Sequence, residues 1–107
     1  KKMVKKHFFL VFFIISNIII IPSKSDEIFK LGKDIFVNKA VCSTCHILKD
    51  ADSDGQIGPN LNVIRPNKMT VINVVTNGIG VMPAYEDQLT KEEIEAVAHY
   101  VSISANQ

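Results

Sequence analysis

Residues 42–46 read Cys42-Ser43-Thr44-Cys45-His46, a C-x-x-C-H run that is typical of the attachment site of a c-type haem. Two thiols about one helical turn apart can each add to one vinyl group on the same edge of the macrocycle. The adjoining His46 then lies beneath the ring plane, where an imidazole nitrogen can bind the iron as the proximal ligand. The run therefore predicts one covalently attached haem c, held by Cys42 and Cys45 and ligated by His46.

Other chemistries also use a C-x-x-C pair. A thioredoxin-like redox site is expected in a βαβ context, which the pattern of this chain lacks. A structural zinc site needs a second pair of ligands, and the sequence contains 2 cysteines in all. A lone disulfide between Cys42 and Cys45 stays open as an alternative.

The N-terminal residues 1–24 form a unit of their own. Four lysines precede an almost unbroken apolar run from Phe8 to Ile21, which is the pattern of a secretory signal peptide. The run is shorter than the roughly 20 residues that a membrane-spanning helix needs. We therefore expect a signal peptide at 1–24 and one domain at 25–107; the alternative is that the leader is retained as an anchor. Export agrees with haem c, because this cofactor is attached on the far side of an energy-transducing membrane.

The charge of the chain changes when this leader is set aside. Five of the 12 basic residues lie in residues 1–24 and none of the 11 acidic ones do, so residues 25–107 carry 7 minus 11, or −4. This balance argues against nucleic acid and favours a partner with a basic docking surface. A domain of this size without tryptophan buries a modest core. We therefore expect the haem to supply apolar mass and the haem-free chain to be largely unfolded.

Three stretches with helical spacing of apolar residues predict an all-α domain. The first runs from about residue 26 to 40 after an N-cap at Ser25. The second begins near Pro66-Asn67-Lys68 and continues from Met69 to Thr76. The third runs from about residue 91 to 103 and opens with a capping box of Thr90 and Glu93. The expected buried positions are Ile28, Leu31, Ile35 and Phe36 in the first helix, Met69, Val71, Ile72 and Val75 in the second, and Ile94, Val97, Ala98 and Val101 in the third.

Gly32 lies inside the first predicted helix, where glycine costs about 1 kcal/mol relative to alanine. The expected reason is the close approach of another helix. Tyr100 of the last helix is expected to cross the first helix at this point, with Phe36 alongside.

The segment after the haem motif is polar. Asp50 to Gly55 matches the first half of a calcium-binding EF-hand loop, but the twelfth loop position is Leu61 instead of a bidentate glutamate. We expect a solvated acidic turn. A rigid Gly58-Pro59 turn follows, and the carbonyl of Pro59 is a candidate acceptor for the second ring N–H of His46.

Met82 is the expected sixth iron ligand. Pro83 disfavours a helical conformation at Met82, so that the thioether can project from a loop onto the open face of the haem. Gly78 and Gly80 precede it and let the backbone come close. The alternative is that Met82 fills the core and that Met69 or no side chain ligates the iron. His99 is expected at the surface or rim.

Several of these residues together resemble a known family. The C-x-x-C-H motif, Gly58-Pro59, the Thr76-Asn77-Gly78-x-Gly80-x-Met82-Pro83-Ala84-Tyr85 block and a terminal helix with Tyr100 resemble the class I c-type cytochromes, in particular the cytochrome c6 family of cyanobacteria and algal plastids. The resemblance covers residues 25–107. It implies a small all-α class I cytochrome c fold around one haem c, with His46 and Met82 as axial ligands.

The same resemblance implies an electron-transfer protein, not an enzyme. It implies a monomer that carries electrons in the thylakoid lumen or periplasm, from the cytochrome b6f complex to photosystem I or to a terminal cytochrome oxidase, with no small-molecule substrate. Val74 departs from the family, whose members typically carry a glutamine at this position near the haem. We expect a lower reduction potential from this change.

Two other functions stay open at this point. One is a five-coordinate haem protein that senses a diatomic gas or reduces peroxide, with Met82 as packing; such a site needs a distal acid–base residue, and neither His46 nor His99 is well placed for it. The other is a membrane-anchored electron-relay subunit of an oxidase, which would keep its leader.

Overall fold

The computed structural model describes residues 17–107. Four α-helices, two short strands and three tighter or wider helical turns follow one another along this part of the chain. They are α1 (Lys24–Asp34), a π-helical turn (Ile35–Lys39), a 3₁₀ turn (Cys42–Thr44), β1 (Ile47–Leu48), a second 3₁₀ turn (Lys49–Ala51), β2 (Ser53–Asp54), α2 (Leu61–Ile64), α3 (Lys68–Asn77) and α4 (Lys91–Ser104). The expected all-α architecture is confirmed, with one small hairpin added to it.

The helix ends follow their capping residues. Asn67 caps α3 by accepting from the Thr70 N–H at 2.8 Å, and Thr90 and Glu93 form the expected capping box of α4. The N-cap expected at Ser25 is wrong. Ser23 caps α1 instead, because its hydroxyl accepts from the Asp26 N–H at 3.3 Å. Helix α1 therefore crosses the boundary expected between residues 24 and 25.

Helices α1 and α4 cross at Gly32, as the sequence predicted. A Cβ atom at Gly32 would lie 2.1 Å from the Ala96 carbonyl oxygen and 2.6 Å from Tyr100 Cβ. Tyr100 is fully buried at this crossing, and its ring meets the edges of Phe29 and Phe36 at centroid distances of 5.0 and 5.7 Å. Only a residue without a side chain allows this close contact of the two terminal helices.

Two expected core residues lie outside the core. Leu31 is 44% exposed and Met69 is 63% exposed. Ile35 and Phe36 are buried as expected and Ile28 packs against the core, whereas Leu31 lies beside the face at which Gly32 meets α4. In α3 the buried positions are Val71 and Val75, and Ile72 packs against them.

The acidic segment folds into a hairpin. Strands β1 and β2 pair antiparallel, with Ile47 opposite Asp54, and Asp52 adopts a left-handed conformation (φ 49°) in the turn. Asp52 and Asp54 are exposed, as expected for a solvated turn. Asp50 is not solvated in this way, because it contacts the terminal helices.

The leader falls mostly outside the described residues, which begin at residue 17. Ile18 to Ile21 are exposed and lie shortly before α1, which begins at Lys24. Among residues 17–107, no helix has the length and apolar character that crossing a membrane requires.

Candidate functional site

A cavity of about 460 Å³ lies between the C-x-x-C-H turn, helices α2, α3 and α4, and the loop around Met82. This volume falls in the range of sites that enclose a cofactor. Most of the lining is aliphatic or aromatic, and includes Phe36, Ile57, Leu61, Ile64, Val71, Val74, Val75, Val97 and Val101. Such a lining suits a large apolar ring system and excludes water from it.

Cys42 and Cys45 both line this cavity. The 3₁₀ turn brings them together, because the N–H groups of Cys45 and His46 both bond to the Cys42 carbonyl, at 3.1 and 3.0 Å. Burial raises the pKa of the free Cys42 thiol to about 11; a backbone hydrogen bond opposes this rise, and the neighbouring Cys45 adds to it. Redox-active C-x-x-C sites lower the thiol pKa, so this environment argues against thioredoxin-like chemistry.

His46 lies beside the cysteines with a fixed ring. Its Nδ1 is 2.8 Å from the carbonyl oxygen of Pro59, which confirms the acceptor expected from the sequence. A carbonyl oxygen only accepts, so Nδ1 must carry the proton, and in the neutral ring Nε2 keeps the lone pair that a metal needs. Gly58 packs on the ring, because a Cβ there would lie 2.5 Å from His46 Cε1.

Met82 reaches the same cavity from a closed turn. Its backbone exchanges two hydrogen bonds with Ile79, at 3.1 and 2.9 Å. Gly78 and Gly80 have φ angles of +72° and +56°, which favour glycine. A Cβ at Gly78 would also lie 2.8 Å from the Met82 carbonyl oxygen, whereas Gly80 has open space around it. The expected close approach of the backbone is therefore found at Gly78. Gly80 is needed for its backbone conformation instead.

The two competing ligand candidates lie elsewhere. Met69 is exposed on α3 and is absent from the lining of the cavity. His99 is half-buried on α4 and is also absent from the lining; its Nε2 lies 3.5 Å from the Ser25 hydroxyl. The structure therefore brings together Cys42, Cys45, His46 and Met82, and leaves His99 and Met69 outside the cavity.

Three features of the site were not anticipated from the sequence. Val41 adopts a left-handed conformation (φ 49°) directly before the 3₁₀ turn, which is unusual for a β-branched residue. The Tyr85 hydroxyl donates to the Ala40 carbonyl at 3.4 Å across the cavity rim. Burial, with the neighbouring thiols of Cys42 and Cys45, raises the pKa of Tyr85. No sequence signal marked Val41, whereas Tyr85 belongs to the family block.

The donor set fits a covalently attached haem. Two thiols, one imidazole with a free Nε2 and one thioether surround an apolar cavity, and this is the set that a low-spin haem c uses. Within residues 17–107 no group of three or more His, Cys, Asp or Glu side chains could hold a metal ion by itself.

Comparisons with known proteins find similar cytochromes. Residues 29–101 match the protein family described as cytochrome C oxidase, cbb3-type, subunit III. The cytochrome c6 of Gracilaria tenuistipitata var. liui is 33% identical over 102 residues, which cover 88% of this chain and 87% of that protein. The cytochrome c6 of Microcystis aeruginosa is 34% identical over 80 residues, which cover 71% of this chain and 96% of that protein.

A solved structure is similar in both sequence and fold. The crystal structure of the c-type cytochrome SorU from Sinorhizobium meliloti is 48% identical to this chain, with a TM-score of 0.73. The match covers 77% of this chain and 95% of that one.

Proposed function

This chain belongs to the c-type cytochromes of class I, and we propose that it carries one electron at a time between two redox proteins through a haem c held by Cys42, Cys45, His46 and Met82. The observation that carries this assignment is that an imidazole and a thioether line one apolar cavity, with the imidazole already fixed through Nδ1. With both side chains bound to the iron, no position stays open for a substrate. Electron transfer is the chemistry that such a site supports.

Each residue has its own part in this proposal. Haem c supplies an iron that cycles between the ferrous and ferric states. The thiols of Cys42 and Cys45 would attach the macrocycle, and the Nε2 of His46 and the thioether of Met82 would bind the iron. A thioether ligand favours the ferrous state and raises the reduction potential. The apolar lining excludes water and limits the reorganisation that accompanies each electron.

The partners are redox proteins, and their identity is the finer part of the proposal. We place the protein in the thylakoid lumen or periplasm as an exported monomer, with the cytochrome b6f complex as donor and photosystem I or cytochrome oxidase as acceptor. Val74 lines the cavity, which supports a potential below that of relatives with glutamine there. A lower reduction potential makes the ferric protein a weaker oxidant of its donor. The donor is therefore the partner that this change affects most. Mixing the reduced protein with photosystem I or with oxidase-containing membranes and following the haem absorbance measures which acceptor it serves.

The family match favours a second candidate, a subunit of an oxidase. The matched family is described as a subunit of cbb3-type cytochrome oxidase, and such a role would keep the leader as an anchor. The intact mass of the protein from membrane and soluble fractions distinguishes the two. A retained leader in the membrane fraction supports the subunit, and a cleaved leader in the soluble fraction supports the mobile carrier.

The ligand assignment is tested by a visible absorption spectrum during a redox titration. Ferric haem with methionine ligation shows a red charge-transfer band. We expect this band in the wild-type protein, its loss in Met82→Ala, and its retention in the matched control Met69→Ala, because Met69 is exposed outside the cavity. A wild-type protein without the band whose ferrous form binds carbon monoxide readily would refute the carrier and favour a five-coordinate sensor or peroxidase.

A further inference from the structure

Asp50 joins three separate parts of the fold. Its Oδ2 accepts a hydrogen bond from the Tyr100 hydroxyl at 2.8 Å and lies 3.1 Å from the Lys33 ammonium. The same ammonium donates to the Asp50 backbone carbonyl at 2.7 Å. Lys33 belongs to α1 and Tyr100 to α4, whereas Asp50 follows His46 by four residues. One carboxylate thus connects both terminal helices to the hairpin that begins at the axial histidine.

This contact differs from an ordinary surface ion pair. The Asp50 side chain is 24% exposed, and Tyr100 is fully buried with its ring held by Phe29 and Phe36. A partly shielded carboxylate with two donors is held more strongly than an exposed pair, whose median contribution is close to zero. The donor on the Tyr100 side cannot move without disturbing the crossing of α1 and α4. Asp50 is therefore bonded to a fully buried side chain at the crossing of α1 and α4.

A second set of bonds holds the chain on the other side of His46. The Gly58 N–H donates to the Cys45 carbonyl at 2.7 Å, His46 Nδ1 donates to Pro59, and the Lys49 N–H donates to Asn62 Oδ1 at 2.8 Å. Each of these bonds links residues 13 positions apart, so segment 58–62 runs beside segment 45–49 in the same direction. These bonds tie the two segments to each other. Leu48 and Leu61 bury the pair in the common core, and the Asp50 contact adds a polar link to the terminal helices.

We propose that Asp50 is a positioning residue for His46. Through its contacts with Tyr100 and Lys33, Asp50 ties the segment that carries His46 to the crossing of α1 and α4, and this holds the imidazole in place for the iron. The inference rests on the proposed role of His46 as axial ligand. Without the Asp50 contact, segment 45–49 loses its polar link to α1 and α4 and separates more often from segment 58–62. The His46–Pro59 hydrogen bond then opens more often than the core does.

Hydrogen exchange of the His46 Nδ1 proton in the ferrous haem protein tests this proposal. This proton lies in the bond to Pro59, so its exchange rate measures local opening of the site. The amide proton of Val97 in the middle of α4 reports opening of the core. In Asp50→Ala we expect the ratio of the His46 Nδ1 exchange rate to the Val97 amide exchange rate to rise by at least about tenfold. Loss of a hydrogen bond to a charged group corresponds to a factor of this size.

Three further variants separate positioning from general stability. Tyr100→Phe keeps the buried ring and removes one donor to Asp50, and Asp50→Asn keeps an acceptor oxygen; both should give intermediate ratios. Lys39→Met is the matched control. The Lys39–Glu93 ion pair joins the π-helical turn after α1 to α4, but it does not touch the hairpin. We expect its ratio to equal that of the wild-type protein.

The outcomes distinguish this inference from the ligand assignment. If the wild-type protein lacks the methionine charge-transfer band, the proposed function fails first. If the wild-type spectrum is as expected but Asp50→Ala accelerates both protons equally, Asp50 is a stabilising residue only and the positioning role is refuted. The positioning role is likewise refuted if Lys39→Met raises the ratio as much as Asp50→Ala does.

Discussion

Replacing Gly58 by alanine should disturb the site at the imidazole itself. The added Cβ would lie 2.5, 2.8 and 3.0 Å from three atoms of the His46 ring, Cε1, Nδ1 and Nε2. An unstrained contact is about 3.5 Å, so the ring and residue 58 must separate by about 1 Å. The ring has little freedom to move, since Nδ1 is bonded to Pro59 and Nε2 is committed to the iron in the proposed haem protein.

The cost of this substitution follows from two terms. Overpacking of this size costs about 1–3 kcal/mol, and weakening the His46–Pro59 hydrogen bond adds up to about 1 kcal/mol. The lower entropy of the unfolded chain with alanine returns about 0.4–1 kcal/mol. We expect the free energy of unfolding to fall by about 2 kcal/mol, a large part of the stability of a small domain.

Guanidinium unfolding of the ferric haem protein measures this loss. Helix content by circular dichroism and the red charge-transfer band should both show a lower midpoint with an unchanged slope. Gln56→Ala is the control, because Gln56 is exposed in the same loop and its substitution should change stability by less than about 0.5 kcal/mol. A Gly58→Ala protein that unfolds at the Gln56→Ala midpoint would show that residue 58 does not constrain the imidazole.

Three further predictions concern the crossing, the potential and acid stability. Gly32→Ala should lower the free energy of unfolding by about 3 kcal/mol, although alanine has the better helix propensity. The new Cβ meets the Ala96 carbonyl oxygen, and no rotamer can relieve a backbone clash. An unchanged guanidinium midpoint would contradict this. Val74→Gln should raise the midpoint potential in a redox titration, since an amide donor facing the haem stabilises the more electron-rich ferrous state, whereas the same change at exposed Val63 should not. Although partial burial opposes ionisation, hydrogen bonds from Tyr100 and Lys33 lower the pKa of Asp50 below its ordinary value of 3.8. The stability it contributes is therefore complete above that ordinary pKa and disappears as the pH falls through the lower folded value; urea unfolding from about pH 6 to about pH 3 should show a weaker acid dependence in Asp50→Asn.

Local patterns predicted the elements around the site well. The capping box at Thr90 and Glu93 and the helix from Lys68 are set by residues three positions apart, so the sequence contains the whole interaction. The C-x-x-C-H run and the Gly58-Pro59 turn likewise act over short distances. The acceptor at Pro59 lies 13 residues from His46, and it could be expected because a ligating histidine usually donates its second ring N–H to a nearby acceptor.

Where prediction failed, the deciding contact came from a distant part of the chain. Leu31 was wrongly placed in the buried face of α1, because Ala96 and Tyr100, more than 60 residues away, pack on the neighbouring face at Gly32. Asp50 was taken for part of a solvated turn, since nothing near it in the sequence shows that a buried tyrosine from α4 reaches its carboxylate. The short helix α2 escaped notice because four residues carry no helical period.

The sequence alone thus predicts the chemistry proposed for this protein. Cysteine spacing, the adjoining histidine and a methionine before proline predict a haem c donor set, because covalent attachment and iron ligation depend on residue type and short spacing. The fold determines what surrounds that donor set. Which helix faces pack together decides the 460 Å³ cavity and keeps Met69 and His99 out of its lining. The same packing decides the approach of α1 to α4 and the link from Asp50 to their crossing. Packing is a property of surfaces that meet from distant positions, and a pattern read along one chain does not contain it.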